Sequence, residues 1–187
     1  MFGHDKDHGY ATAMSIGKRI LFNGGTEYDN NEDYKSRSTR FTNDGQKFAE
    51  LPPMPYSLTS HCMVALDSDD LFVTGGGLIE DDYKADNDKS FLYHSDKMEW
   101  EELPGLLTPR TRPLCGMVHN ANGDQEVIAA GGSGEGWGPR GLFAIQKAIF
   151  RCVKCYIFST ARSETKYAFS RVVEIYNVQS KEWRPGL

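Results

Sequence analysis

Short apolar runs that close on paired glycines divide the chain into three similar segments. Each run holds four residues, which is too few for a helix, and the glycine after it is free to adopt a positive φ. The pattern therefore predicts three buried strands, each ended by a glycine pair. The runs and their glycines are Ile20–Asn23 with Gly24 and Gly25, Leu71–Thr74 with Gly75 and Gly76, and Val127–Ala130 with Gly131 and Gly132.

Further strand-like runs flank each of these strands. A second apolar run precedes each one across a short polar stretch, as in a β-hairpin, and two more strand-like stretches follow the glycines. The sequence therefore predicts four strands in each segment. The preceding runs are Met14–Ile16, Cys62–Leu66 and Cys115–Val118, and the following ones include Ser90–His94, Val172–Tyr176 and the stretches through Phe48, Trp100 and Trp183.

Pairs of aromatic residues recur after the glycines with a constant spacing. The two rings stand seven positions apart in all three segments, in register with the glycines. Gly25 and Gly76 are 51 residues apart, and Gly76 and Gly132 are 56 apart, which is typical of a strand-containing repeat of about 50 residues. The pairs are Phe41 and Phe48, Tyr93 and Trp100, and Tyr176 and Trp183.

A double glycine after a strand, followed by an aromatic residue, six residues and a tryptophan, resembles the kelch repeat, which forms one blade of a β-propeller. The resemblance covers about residues 10–138 and 170–187. In the first copy, Phe41 and Phe48 stand where the family usually has Tyr and Trp. The resemblance implies an all-β fold, an incomplete kelch-type propeller of about three four-stranded blades.

One four-stranded sheet cannot bury both of its faces, so the copies are expected to stack around an axis, with aromatic rings such as Trp100 largely buried between them. Propellers close with about four to eight blades, so three copies leave an open arc, and we interpret the chain as a fragment of a longer propeller that is prone to association. The expected divisions are a disordered N-terminus at 1–9 and a propeller fragment at 10–187, with blade 1 at about 10–55, blade 2 at about 56–109, and blade 3 at about 110–187 including an insert at 139–170.

The insert breaks the repeat. The distance from the second glycine to the second aromatic residue is 23 residues in the first copy, 24 in the second and 51 in the third. The insert has six basic residues and one acid, and Phe143–Phe158 has the periodicity of an amphipathic helix. Residues 139–170 are either a loop for a partner or sequence foreign to the fold, such as a retained intron, and we favour the second.

The composition describes an ordinary globular protein. The chain has 187 residues, of which 39% are apolar and 25% charged, and its net charge of −5 argues against general nucleic-acid binding. It contains neither an apolar run of membrane-spanning length nor an apolar signal sequence at its start. Four cysteines are not expected to form a disulfide framework in a chain this long, which favours a reducing compartment such as the cytoplasm.

Two connections that follow glycine pairs are acidic. Thr26–Ser38 has a net charge of −2 and Leu78–Lys89 one of −3, and both leave the same strand junction. They are either an acidic face with tyrosine anchors for a basic protein partner or simply solvated, mobile loops. The candidate partner-binding residues are Tyr28, Tyr34, Glu80, Asp81, Asp82 and Tyr83.

The sequence shows no catalytic constellation, so we expect no enzyme activity, metal or cofactor. His61, His94 and His119 fall at repeat-related places, and the CxxC motif at Cys152 and Cys155 is at most half of a zinc site. The resemblance implies a protein-interaction module, an adaptor that recruits a partner through the acidic face. The alternative is a fragment of a galactose-oxidase-like or carbohydrate-binding propeller.

Overall fold

The fold is all-β, as the sequence predicts. A computed structural model of the chain describes residues 7–9, 11–16, 19–28, 39–43, 47–80, 83–133 and 172–186. Over these residues the chain forms strands, turns and irregular segments, with no helix and hence no helical segment suited to crossing a membrane. The strands are β1 (Asp7–Gly9), β2 (Thr12–Ile16), β3 (Arg19–Asn23), β4 (Thr26–Tyr28), β5 (Thr39–Asn43), β6 (Lys47–Leu51), β7 (Leu58–Thr59), β8 (Cys62–Ala65), β9 (Leu71–Thr74), β10 (Gly77–Glu80), β11 (Tyr83–Asp86), β12 (Ser90–His94), β13 (Glu99–Leu103), β14 (Leu114–His119), β15 (Gln125–Ala130), β16 (Val173–Asn177) and β17 (Glu182–Pro185).

Among the described residues, three antiparallel sheets of four strands contain most of the strand residues. The first sheet has the order β2-β3-β5-β6, the second β8-β9-β12-β13 and the third β14-β15-β16-β17. Within each sheet, neighbouring strands follow one another along the chain, apart from the short extra strands between them. The prediction of a four-stranded sheet in each segment is therefore confirmed.

Two smaller sheets were not predicted. β1 pairs with β4, and β10 pairs with both β11 and β7. In each case the residue after the second glycine pairs with a residue three positions before the first strand of a large sheet: Thr26 with Gly9, and Gly77 with Thr59. Thr111 and Ser133 form the same bridge in the third segment.

These pairings correct two expectations. The assignment of residues 1–9 as disordered is wrong for Asp7–Gly9, because pairing with β4 orders that backbone. Leu78–Lys89 is not a plain loop, since β10 and β11 form a β-hairpin within it. The insert at 139–170, with its predicted helix, lies outside the described residues.

The register of the aromatic pairs differs in the first sheet. Tyr93 lies opposite Trp100, and Tyr176 opposite Trp183, but Ala49 rather than Phe48 lies opposite Phe41. The connection between β5 and β6 has three residues, whereas those between β12 and β13 and between β16 and β17 have four. The same sequence spacing of seven therefore does not give the same pairing, and Phe48 is not the structural equivalent of the two tryptophans.

Two apolar cores hold the three large sheets together. The first contains Leu21 from the first sheet and Leu71 from the second, together with buried side chains from the connecting segment. The second contains Phe72 from the second sheet and Val127 from the third. The sheet faces that meet a neighbour are mainly apolar, so burial of these faces stabilises the stack.

The tryptophans lie at the rim of these cores. The Tyr93 and Trp100 ring centroids are 5.1 Å apart, and those of Tyr176 and Trp183 are 5.2 Å apart. Trp100 is half-buried, so the expectation that it is largely buried is wrong. It lies on β13, at the edge of the second sheet, where its indole can pack on Tyr93 and still reach the surface.

A disulfide joins the second and third sheets. Cys62 on β8 and Cys115 on β14 are bonded, with their Cα atoms 6.0 Å apart. The two residues lie on the first strands of adjacent segments, so stacking brings them together across 53 positions of sequence. The sequence argued against a disulfide framework among the four cysteines and did not predict this single bond. The cysteines therefore no longer favour a reducing compartment.

Candidate partner-binding face

The glycine pairs link the backbone of one sheet to the segment that begins the next. The Gly25 amide donates a hydrogen bond to the Leu58 carbonyl at 2.9 Å, and the Gly76 amide donates one to the Arg110 carbonyl at 2.8 Å. Gly76 has φ +97°, and a Cβ there would lie 2.6 Å from the Thr59 carbonyl oxygen. Both the conformation and the close approach therefore require glycine. The predicted positive φ is confirmed at Gly24, Gly25, Gly75, Gly76, Gly131 and Gly132.

All three pairs lie at one end of the stack, which we call the glycine end. In all three sheets the glycines follow the residue that pairs with the start of the sheet's first strand, as Asn23 pairs with Thr12. The Thr12 hydroxyl donates to the His61 carbonyl at 2.8 Å, so the first strands of neighbouring sheets also begin side by side. β4 and β10 start immediately after glycine pairs and therefore both leave from the glycine end.

The predicted partner-binding residues divide between described and undescribed positions. Tyr28 ends β4, whereas Glu80 ends β10 and Tyr83 begins β11. Glu80 and Tyr83 lie directly opposite each other in the hairpin, so the backbone brings this acid and this tyrosine together at its tip. Tyr34, Asp81 and Asp82 lie outside the described residues.

Asn87 anchors the base of the hairpin. Its side-chain amide donates to the carbonyls of Gly76 at 2.9 Å and Gly75 at 3.2 Å, and its side-chain oxygen accepts from the Lys89 amide at 2.8 Å. The Arg110 amide donates to the Asn87 carbonyl at 3.1 Å. Asn87 is buried, so this polar network fixes where the hairpin leaves the second sheet.

A buried ion pair lies beside this network. The Arg110 guanidinium contacts the Glu174 carboxylate, and both side chains are almost fully buried. Arg110 also donates to the Val172 carbonyl at 3.0 Å and the Thr108 carbonyl at 3.1 Å, while the Leu107 amide donates to Glu174 at 2.7 Å. Burial lowers the pKa of Arg110, and the charge of Glu174 opposes that shift. The pair therefore ties the segment before β14 to the middle of the third sheet.

His61 is a buried titratable group at the same end. It packs against Gly24 and Gly76, where an added Cβ would lie 2.8 Å from its ring carbon Cε1 and its Cβ, respectively. Within the part of the chain that the structure describes, neither ring nitrogen has a hydrogen-bond partner within normal distance. Burial lowers the pKa of His61 to about 4, although the backbone of Leu58 opposes the shift. His61 is therefore neutral at pH 7 and acts as a packing group.

One group of described side chains at the opposite end has the composition of a cation site. Ligand atoms of Asp70, His94 and Asp96 lie within 4.8 Å of one another. The second nitrogen of His94 lies 2.9 Å from the Glu101 carboxylate, whose pKa is lowered by hydrogen bonds from Lys181 and His94. Asp70 already accepts hydrogen bonds from the Ser95 amide and the Ser68 hydroxyl, so its carboxylate has a structural role without a metal.

Comparison of the chain with protein-family models gives no match, and comparison with curated proteins gives none either. The function is therefore inferred from the geometry of the sheets and from the chemistry of the glycine end.

Two structural pairs were missed by the sequence interpretation, although each left a signal. Glu174 stands two positions before the buried Tyr176 on β16, and side chains two apart on a strand share a face. A carboxylate on a core-facing position predicts a buried cation partner. The signal for the disulfide was that Cys62 and Cys115 begin corresponding apolar runs.

Proposed function

We propose that the chain forms about three blades of a kelch-type β-propeller and that it binds another protein as an adaptor. The observation that carries this proposal is the repeated junction. Successive four-stranded sheets pack through apolar faces, and a glycine amide of one sheet donates to the carbonyl that precedes the next. Stacked four-stranded sheets with this kind of regular junction are the building principle of a propeller.

The contact face in this proposal is the glycine end. Rigid sheets that position variable connections at one end form a common type of binding surface. The hairpin of β10 and β11 has a well-anchored base at Asn87 and places Glu80 opposite Tyr83. Leu78–Lys89 contains five acidic and two basic residues, so the partner is basic where it meets the hairpin.

A charged probe tests this face without knowledge of the natural partner. Fluorescein-labelled decalysine is titrated with the full chain, and anisotropy is followed at about 50 and about 200 mM salt. Replacing Glu80, Asp81 and Asp82 with Ser is expected to weaken binding several-fold and to reduce its dependence on salt. Tyr83→Ala is expected to speed dissociation more than it slows association, because it removes a contact and no charge.

The matched control changes net charge by the same amount at the opposite end. It replaces Asp96, Glu99 and Glu182, which are exposed, with Ser. If the control weakens decalysine binding as much as the hairpin variant does, the probe senses only overall charge and the proposed face is wrong. A decalysine affinity that changes neither with salt nor with the three hairpin substitutions also contradicts the proposal.

A further inference from the structure

The first sheet exposes apolar side chains at positions that its neighbours bury. In strand register, Ile20 of β3 corresponds to Leu71 of β9 and Val127 of β15, since each stands four positions before the first glycine. Leu71 is 1% exposed and Val127 is 0% exposed, because a preceding sheet packs on each. Ile20 is 44% exposed. We call the face of the first sheet that carries Ile20 the leading face.

The third sheet has a complementary face. Ile128 of β15 corresponds to Leu21 of β3 and Phe72 of β9, which face the next sheet and are 5% and 0% exposed. Ile128 is half-buried, and so is Ile175, which lies opposite it on β16. We call this face of the third sheet the trailing face. Ile20 and Ile128 are therefore apolar at positions that bury apolar side chains where sheets meet inside the stack, although Glu126 and Arg184 form an ion pair on the trailing face.

The backbone continues the same correspondence. The Leu58 and Arg110 carbonyls accept hydrogen bonds from the Gly25 and Gly76 amides. Leu58 directly precedes Thr59, which pairs with Gly77, and Arg110 directly precedes Thr111, which pairs with Ser133. The same position in the first segment is His8, which precedes Gly9 on β1. Gly132, with φ +88°, has the conformation of the donors Gly25 and Gly76. A trailing face next to a leading face would therefore bring a Gly132 amide to a His8 carbonyl.

We propose that the occupant of each face is a second copy of this chain, with the trailing face of one copy packed on the leading face of the other. The contact is head-to-tail, and such contacts form rings when the rotation closes. Each copy contributes the three four-stranded sheets formed by its described residues, so two copies form a ring of six such sheets, within the range of about four to eight blades in closed propellers. Both leading and both trailing faces are then buried, and no open face is left to recruit further copies.

The pairing goes beyond the proposed partner binding, and the two can fail separately. The leading and trailing faces are the broad sides of the outer sheets, whereas the acidic hairpin projects from the glycine end. A monomeric chain that still binds decalysine through the hairpin would refute the ring and leave the proposed function intact.

Sedimentation velocity on the full chain at about 10 μM tests the ring. The expected mass is twice the 21.0 kDa of one chain. Ile20→Asp is expected to weaken dimerisation about a hundredfold or more, because every ring contains the substitution at two contacts. Met98→Asp is the matched control, since Met98 is 54% exposed in a turn away from both faces, and it is expected to leave the dimer unchanged.

Mixing two variants separates head-to-tail pairing from other modes. Ile20→Asp damages only the leading face and Ile128→Lys only the trailing face, so each alone is expected to be monomeric. An equimolar mixture contains one unaltered contact and one Asp–Lys contact per ring, and its dimer is expected to return. Circular dichroism confirms that each variant is folded, and Ile175→Lys replaces Ile128→Lys if the latter is not.

Three results would overturn the proposal. The first is a wild-type chain that remains monomeric, which would mean that another protein or another segment covers these faces. The second is growth into open oligomers beyond the dimer, which would show that the rotation does not close. The third is a dimer that survives Ile20→Asp or a mixture that stays monomeric, since either would place the contact elsewhere.

Discussion

Arg110 and Glu174 form an ion pair that is almost entirely removed from solvent, between the segment before β14 and the third sheet. The corresponding positions of the second segment hold Leu58 and Phe91, which are both 0% exposed and belong to one apolar core. The chain thus contains the same junction in an ionic and an apolar form. The contribution of the ion pair to stability can therefore be tested by replacing it with the apolar residues that the protein itself has at the second junction.

Removing one partner of the ion pair is expected to be strongly destabilising. Arg110→Leu leaves the Glu174 carboxylate buried without its cation, which should lower the free energy of unfolding by about 3–5 kcal/mol. The double variant Arg110→Leu with Glu174→Phe copies the second junction and is expected to recover most of that loss. Urea unfolding followed by circular dichroism measures both. A double variant less stable than the single one would show that the two junctions are not equivalent.

Substitutions of Trp100 and Trp183 are expected to lower the stability of the chain to a similar extent. Each indole N–H donates at 2.9 Å to the carbonyl of the proline that directly follows the preceding sheet. The acceptors are Pro52 and Pro104. Replacing either tryptophan with Phe keeps a ring and removes the donor, and should cost about 0.5–1.5 kcal/mol. Trp100→Ala should cost about 2–3 kcal/mol, below the range for a fully buried tryptophan, because Trp100 is half-buried. Equilibrium urea unfolding checks these values, and a Trp100→Phe variant as stable as the parent would contradict them.

The stability of the chain is expected to fall in mild acid through His61. The pKa of His61 is about 4 in the folded chain and about 6.5 when unfolded, so the unfolded state takes up a proton first. Between these values the free energy of unfolding therefore decreases as pH falls, by about 3 kcal/mol in total. His61→Leu removes this loss, so the stability difference between parent and variant should change between pH 7 and pH 4. His119→Gln, at an exposed histidine, is the control. Parallel pH profiles for the parent and His61→Leu would contradict the assignment.

Much of the fold could be predicted because local patterns determine it. The strand Leu71–Thr74 was predicted with its bounds intact, since a short apolar run closing on glycine has few other interpretations. The register of Phe48 could not be predicted, because a turn shorter by one residue shifts the pairing without altering the spacing of the rings.

The glycine end was predicted only in outline. The two glycine pairs that precede acidic connections indicated one common end, but the hairpin within Leu78–Lys89 has a largely charged sequence with little strand character. It forms because β10 pairs with β7, a contact across about twenty residues that no local pattern reports. The connection from Ala130 to Val173 spans 42 residues, whereas those from Thr74 to Ser90 and from Asn23 to Thr39 span 15 each, and β15 still pairs with β16.

The disulfide is expected to stabilise the stack substantially. Bonding Cys62 to Cys115 closes a loop of 53 residues, and the chain-entropy relation gives about 4 kcal/mol for a loop of that length. Reduction should lower the free energy of unfolding by about this amount, and the variant with both cysteines replaced by Ala should be insensitive to reductant. A variant with Cys152 and Cys155 replaced by Ser should keep the sensitivity of the parent. If reductant leaves the parent unchanged, or if a non-reduced digest contains no peptide linking Cys62 to Cys115, the disulfide is absent.

The central claim is that the three sheets are one repeated unit, stacked through equivalent glycine junctions. Native-state amide hydrogen exchange at Gly25 and Gly76 tests it most directly, because their amides donate to the next segment rather than within their own sheet. We predict that both exchange about 100-fold or more slowly than Lys97 in the exposed turn after β12, and at similar rates to each other. Fast exchange at both glycines, with slow exchange within each sheet, would show independent sheets and contradict the account.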